Sequence, residues 1–231
     1  MKNIVLIIIL FSLNSCTSKT ISKSNTEDKD IKRCNFSSES GVDEYGNYYG
    51  DITIHKDKKE INVGFSIFKN EANDLFVSIP ENWNIKPDEG VFYAEFGMDK
   101  KDFFMIQKYN QDEVRISFDE YIKLLKKSFI NDSTVVYSEM KVEKLYDKYN
   151  EILFIKANMS ENDNDFHFCS YYINNQKTYF EITIKYKNGN VDDYVEQLFD
   201  LAAYSLIYEE KRLMEGMQFP RIAIDFGDLG N

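Results

Sequence analysis

The stretch Thr178-Tyr179-Phe180-Glu181-Ile182-Thr183-Ile184-Lys185-Tyr186 decides the fold class. Phe180, Ile182, Ile184 and Tyr186 alternate with Glu181, Thr183 and Lys185, which is the period of a strand with one apolar face. Lys187-Asn188-Gly189 then supplies a turn, and the period changes. Val191, Tyr194, Val195, Leu198, Ala202 and Leu206 recur at helical spacing, with Asn190 placed to cap and Asp192 and Asp193 favouring the N-terminal dipole. A well-formed strand that runs into a helix excludes an all-helical chain.

Upstream, Ser117-Phe118-Asp119-Glu120 has the form of a capping box. Phe118, Tyr121, Ile122, Leu125 and Phe129 follow as one helical stripe, with Lys123, Lys126 and Lys127 off it. Further strands are predicted over Ile61–Phe68, Leu75–Ile79, Val91–Phe96, Phe103–Tyr109, Val135–Val142, Glu151–Ala157 and Phe166–Ile173. The polar spacers Ser160–Asp165 and Asn174–Gln176 are short enough for an antiparallel meander. Arg221–Phe226 alternates and is placed as an edge strand or a cover over the core. The expected fold class is α+β: an antiparallel sheet packed with two main helices.

The segment Leu75-Phe76-Val77-Ser78-Ile79-Pro80-Glu81-Asn82-Trp83 is an aromatic strand ending in Pro, two residues, then Trp. It resembles the opening of the PsbP-like and DcrB-like proteins, and the order of elements resembles that group over about residues 72–209. The resemblance implies an α/β/α sandwich around a curved antiparallel sheet. It also implies an adaptor or accessory role in binding other proteins, often as a bacterial lipoprotein. The family shares no catalytic residues, so none is transferred. On physical grounds Pro80 ends a strand, because it lacks the ladder donor, and the single Trp83 covers the core edge.

The N-terminus has the parts of an export signal: Lys2, an apolar run from Ile4 to Leu13, then Leu13-Asn14-Ser15-Cys16. The run is about half the ~20 residues needed to span a bilayer. A small residue before a cysteine resembles a lipobox, so residues 1–15 are expected to be a lipoprotein signal peptide and Cys16 the lipidated N-terminus, anchored to the bilayer. Residues 16–40 are Ser, Thr, Lys, Asn and Asp with few apolar side chains and are expected to be a disordered tether. Residues 41–231 are expected to form a single α+β domain. The location that follows is the bacterial cell envelope, lipid-anchored at a periplasmic or outer-membrane face.

The net charge of −11 is uneven, because residues 16–35 hold five basic against three acidic side chains. A basic tail suits anionic headgroups. The acidic body has no basic stripe for phosphates, so nucleic acid is excluded as a partner. With Cys16 lipidated, Cys34 and Cys169 remain, in a compartment where disulfides persist. They either form a bridge that pins the tether to the domain or stay free.

Chemistry-bearing motifs are sparse. His55 and His167 lack partners at metal-ligand or triad spacing, and His167 with Cys169 makes two ligands on one strand face, short of a site. Glu161-Asn162-Asp163-Asn164-Asp165 opens like a calcium loop, but Phe166 and Tyr172 stand where Gly and a carboxylate are required. A polar hairpin loop is the expected reading, with no metal and no cofactor. Asp225-Phe226-Gly227 has no accompanying nucleotide-binding loop, and no enzyme is expected. The chain does have sixteen tyrosines, and Tyr45, Tyr48 and Tyr49 sit in a glycine-punctuated acidic stretch. They either pack over the sheet or form a protein-binding surface. The leading expectation is therefore a non-enzymatic envelope lipoprotein whose acidic domain binds a protein partner, as an accessory or immunity factor. The alternative is a small-ligand or lipid-binding lipoprotein with a pocket under a curved sheet.

Overall fold

The structure, a computed structural model, describes residues 31–223 apart from positions 37, 57–58, 87–90, 98–100, 111–115, 132–134, 148, 177, 188–193 and 215–220. The signal segment, Cys16, the cap Asn190 with Asp192 and Asp193, and residues 224–231 lie outside the described residues.

Strands dominate, and they form two antiparallel sheets. The first takes β1 (Ile31–Arg33), β2 (Gly41–Val42), β3 (Tyr48–Lys56), β4 (Lys59–Asn70), β5 (Leu75–Pro80), β13 (Ile207–Tyr208) and β14 (Lys211–Arg212). Its order is β14-β13-β5-β4-β3-β2, and β1 pairs with β4 beyond the end of β3. The second sheet runs β15-β9-β10-β11-β12-β8-β7-β6. Its strands are β6 (Asn84–Ile85), β7 (Phe92–Phe96), β8 (Asp102–Asn110), β9 (Val135–Tyr146), β10 (Glu151–Glu161), β11 (Asn164–Asn174), β12 (Thr178–Lys187) and β15 (Arg221–Ala223). Among the described residues two α-helices accompany them, α1 (Phe118–Asn131) and α2 (Val195–Tyr204).

This corrects the α+β expectation of one antiparallel sheet packed with two main helices as an α/β/α sandwich. Of residues 41–70 the sequence predicts only the strand Ile61–Phe68; they build the β3–β4 hairpin that seeds a second sheet, and the helices are only 14 and 10 residues long. The strands also outrun their apolar cores: β10, β11 and β12 extend to 11, 11 and 10 residues because their polar ends stay in the ladder. The hairpin read at Glu161–Asp165 forms, with a tighter turn. Only Asn162 and Asp163 lie between the strands, with φ of 48° and 60°, the left-handed pair that a tight hairpin turn requires. Likewise β1 falls within the segment read as tether, so the sheet reaches back to Ile31.

The main core fills the space between the sheets. Phe65, Leu75, Val77 and Ile79 from the first sheet meet Phe104, Tyr171, Phe180 and Ile182 from the second, with Leu198, Phe199 and Ala202 of α2 completing it. Trp83 belongs here: its amide donates to the Pro80 carbonyl at 3.0 Å, and its ring stacks on Phe96 at 4.7 Å between centroids. The opposite face of the second sheet is covered by α1, where Phe118, Ile122 and Leu125 pack on Leu153, Ile155, Tyr172 and Tyr179. Each such side chain contributes about 1.5–3 kcal/mol on burial. The capping box forms as read: Ser117 Oγ accepts from the Glu120 amide at 3.3 Å, and Glu120 Oε2 accepts from the Ser117 amide at 2.9 Å. Both faces of the second sheet are thus covered, which sets the environment of every polar side chain on β12.

Candidate functional site

Tyr45, Tyr48 and Tyr49 lie on the outer edge of the first sheet, and the structure gives each a different role. Asp43 Oδ1 accepts the amides of Tyr45 and Asn47 at 2.9 and 2.7 Å, which folds residues 43–47 into a side-chain-stabilised turn. Arg212 clasps that turn from β14. Its Nη2 donates to the Tyr45 carbonyl at 2.7 Å and to Asn47 Oδ1 at 3.0 Å, while Nη1 donates to the Tyr204 carbonyl at the end of α2. Tyr45 packs its ring toward Phe76, 5.4 Å between centroids. Tyr49 stacks on Phe36 at 3.9 Å and shares a 2.7 Å hydrogen bond with Ser38 Oγ. This arrangement needs glycine at 41, directly opposite Tyr49, since a Cβ there would stand 2.7 Å from the phenol oxygen.

Tyr48 is the one presented. It is 56% exposed, and Val42, its register partner across β2 and β3, is 52% exposed. Directly opposed residues of an antiparallel pair share a face, so the two form one exposed apolar step on a rigid edge. Beyond Tyr49, β3 has β4 on one side and, among the described residues, no strand on the other. Arg212→Ala is expected to lower stability by about 2 kcal/mol through loss of charge-assisted hydrogen bonds. Urea denaturation measures that loss, and faster amide exchange confined to residues 43–47 locates it.

Cys34 and Cys169 are both free. Cys34 follows β1 on the first sheet, its amide bonded to the Ile67 carbonyl at 2.8 Å. Cys169 is central in the second sheet and 1% exposed, facing the core. The bridge considered from the sequence is not made: Cys34 is half-buried beside the first sheet, Cys169 is buried in the second, and both are free thiols. Burial pushes the Cys169 thiol up to about 12, so it carries no thiolate at neutral pH. Alkylation of the native protein is expected to spare Cys169 and label it only after unfolding; labelling of both cysteines at equal rates would contradict its burial.

His167 and Cys169 share a strand face as the sequence indicates, but the face is a polar seam under α2. His167 Nδ1 lies 2.8 Å from Asn158 Oδ1. Lys156 Nζ donates to both oxygens of Glu196 at 2.6 and 2.7 Å, Tyr186 donates to Glu196 at 3.0 Å, and Tyr171 donates to Asp200 at 2.8 Å. Among the described residues no group of three potential ligands is placed to hold a metal ion. Nor is any described helix long and apolar enough to cross a membrane.

Two polar groups on the α1 side of β12 were not singled out by sequence reasoning. Glu181 sits in a cage of hydroxyls: Thr183 Oγ1 donates to it at 3.1 Å, and Tyr109 and Tyr172 also hydrogen-bond it. Burial raises its carboxyl to about 7, against the pull of those three donors. Four positions along, Lys185 pairs with Glu161 at 2.6 Å, with only 5% and 9% of the two side chains exposed. The signal that could have found both is α1 itself, since a helix with an apolar stripe must cover some sheet face.

No family model matches the chain, and no curated protein matches it. Its structure is similar to the solution structure of cyanobacterial PsbP (CyanoP) from Synechocystis sp., at 11% sequence identity and a TM-score of 0.44, covering 62% of this chain and 92% of that one. The likeness is one of PsbP-like chain path alone.

Proposed function

We propose that the chain is a lipid-anchored, non-enzymatic protein of the bacterial cell envelope whose acidic domain binds a protein partner at the tyrosine edge. The observation that supports this most is the pair Tyr48 and Val42, exposed side by side on an edge whose backbone is pinned by Asp43 and Arg212. Exposed aromatic residues on a rigid scaffold are what protein interfaces favour. An open strand edge also offers unpaired backbone groups to an extended segment. Residues 36–55 include Glu39, Asp43, Glu44 and Asp51 and no Lys or Arg, so the fitting partner presents a basic extended strand. A second copy of the same edge would be repelled.

The anchor reading rests on the signal-like segment and Cys16, with residues 17–30 spanning at most about 50 Å between lipid and sheet. Acyl chains contribute roughly 0.8 kcal/mol per buried CH₂, so two or more hold the chain firmly. Cys16→Ala is expected to move the protein from the membrane pellet to the soluble fraction.

The docking reading is tested by photo-crosslinking in intact cells. A crosslinker at position 48 is expected to give one discrete adduct that Asp51→Lys weakens. The same group at Ile130, exposed on α1, is expected to give none. Equal labelling from both positions would remove the edge from consideration.

A further inference from the structure

A concavity on the outer face of the second sheet, away from the tyrosine edge, has a composition of its own. It measures ≈ 260 Å³ and lies beside the β10–β11 hairpin. Its walls are the rings of Tyr93, Phe103 and Phe166, with Tyr93 and Phe103 stacked at 5.5 Å. Lys185 and Glu161 also line it, joined by their 2.6 Å ion pair, and the Lys185 ammonium stands 4.2 Å from the centre of the Phe166 ring. Lys101, an exposed side chain, and Asn162 and Asn164 of the hairpin complete the lining among the described residues.

A buried ion pair is a costly way to fill a sheet face. Desolvation of the two charges offsets most of their attraction, and two apolar side chains of the same volume serve stability as well or better. Here the pair is placed where a cavity meets it. Lys185 has three donors, one of which goes to Glu161 Oε2. An aromatic-walled cleft with an ammonium at its base fits an apolar ring that carries an acid group. A dry cavity of ~150 Å³ accommodates benzene, so this one has room for a ring and a short polar arm. The lining holds two ammonium groups, Lys185 and Lys101, against one carboxylate, Glu161. Asp102, which also acts on Lys185, lies outside the lining.

We propose that this cavity is a binding site for a small aromatic carboxylate, whose ring lies between Tyr93, Phe103 and Phe166 and whose acid group meets Lys185 and Lys101. An aromatic amino acid shares that chemistry and would add an ammonium for Glu161. The site is independent of the tyrosine edge and of the lipid anchor, so neither outcome there bears on it.

The test is calorimetric titration of the full chain with phenylacetate, phenylalanine and phenethylamine. Phenylacetate is expected to bind at concentrations below about 10 mM, and phenethylamine, which lacks the acid group, to bind at least about tenfold more weakly. Tighter binding of phenylalanine than of phenylacetate would identify the amino acid as the better ligand within the same class. The single variant Lys185→Met leaves Glu161 buried without a partner and is open to misfolding. The double variant Lys185→Met with Glu161→Leu keeps the volume and removes both charges. It is expected to melt at or above the wild-type temperature and to lose at least about tenfold in phenylacetate affinity. The proposal is overturned if phenylacetate does not bind the wild-type chain, if phenethylamine binds equally well, or if the folded double variant retains full affinity.

Discussion

Glu181→Gln is expected to stabilise the protein by up to about 3 kcal/mol at pH 8 and to leave its stability at pH 4 nearly unchanged. The elements around Glu181 bring hydroxyls: Tyr109 from β8, Tyr121 from α1, Tyr172 from β11, and Thr183 from β12 itself. Among the described residues none brings a cation that acts on the carboxyl. Burial therefore lifts the carboxyl from its ordinary 4.5 to about 7. Between those two values the folded state keeps a proton that the unfolded state has released. Stability must then fall as pH rises from about 4.5 to about 7, because the unfolded chain binds fewer protons. Above pH 7 the charged form is carried at full cost. Glutamine has no charge to desolvate, so the difference in unfolding free energy between variant and wild type grows with pH across that window and then levels off. Urea denaturation of both proteins at pH 4, 6 and 8 measures it, and a difference independent of pH would contradict the buried site. The neighbouring phenols obey the same physics: burial, and then the Glu181 charge, pushes Tyr109, Tyr121 and Tyr172 up and keeps them as hydrogen-bond donors.

Lys185→Met alone is expected to cost about 3–5 kcal/mol, the largest single loss foreseen for a polar residue of this chain. The loss comes from stranding Glu161, not from the pair's own strength. Burial disfavours the Lys185 ammonium, and the Glu161 carboxylate holds it charged. Adding Glu161→Leu to the same chain is expected to return that loss in full. The two substitutions must therefore be strongly non-additive, with a coupling energy well above the few tenths of a kcal/mol seen for distant sites. Additive behaviour in a double-mutant cycle, read by denaturant titration, would show that the two side chains do not meet in solution.

Periodicity gave the second sheet almost in full. The alternation read over Thr178–Tyr186 is β12, which runs Thr178–Lys187, and the strand read at Phe166–Ile173 is β11, which runs Asn164–Asn174. The Ser117–Glu120 box starts α1 where the spacing places it, because capping and the apolar stripe depend only on near neighbours. The first sheet was harder to read. β2 is two residues long, and glycines that look like turn signals do different work: Gly46 (φ +83°) lies in the turn before β3, whereas Gly50 (φ +89°) lies within β3 itself. The two-sheet architecture is non-local: β5 pairs with β13, some 130 positions away, and no local pattern announces that pairing.

The same limit applied to the sites. The tyrosine cluster was visible as composition, but only the register of β2 and β3 distinguishes Tyr48, which faces outward, from Tyr49, which is stacked on Phe36. Glu181, Thr183 and Lys185 occupy the polar positions of an alternating strand, and alternation alone cannot tell a solvated face from one covered by a helix. Lys126 shows the reverse: it falls off the apolar stripe of α1 and is nonetheless buried.

Amide hydrogen exchange across β3, measured for the full chain alone and with the partner recovered by crosslinking at position 48, tests the docking account most directly. Alone, the outward-facing amides of residues 50–56 should exchange freely while those bonded to β4 stay protected. With the partner bound, the account requires those same outward amides to slow, together with the amides of Val42 and Tyr48, and requires the slowing to weaken as salt is raised. If β3 is unchanged and protection appears instead on α1 or at the turns of the second sheet, the edge is not the docking surface.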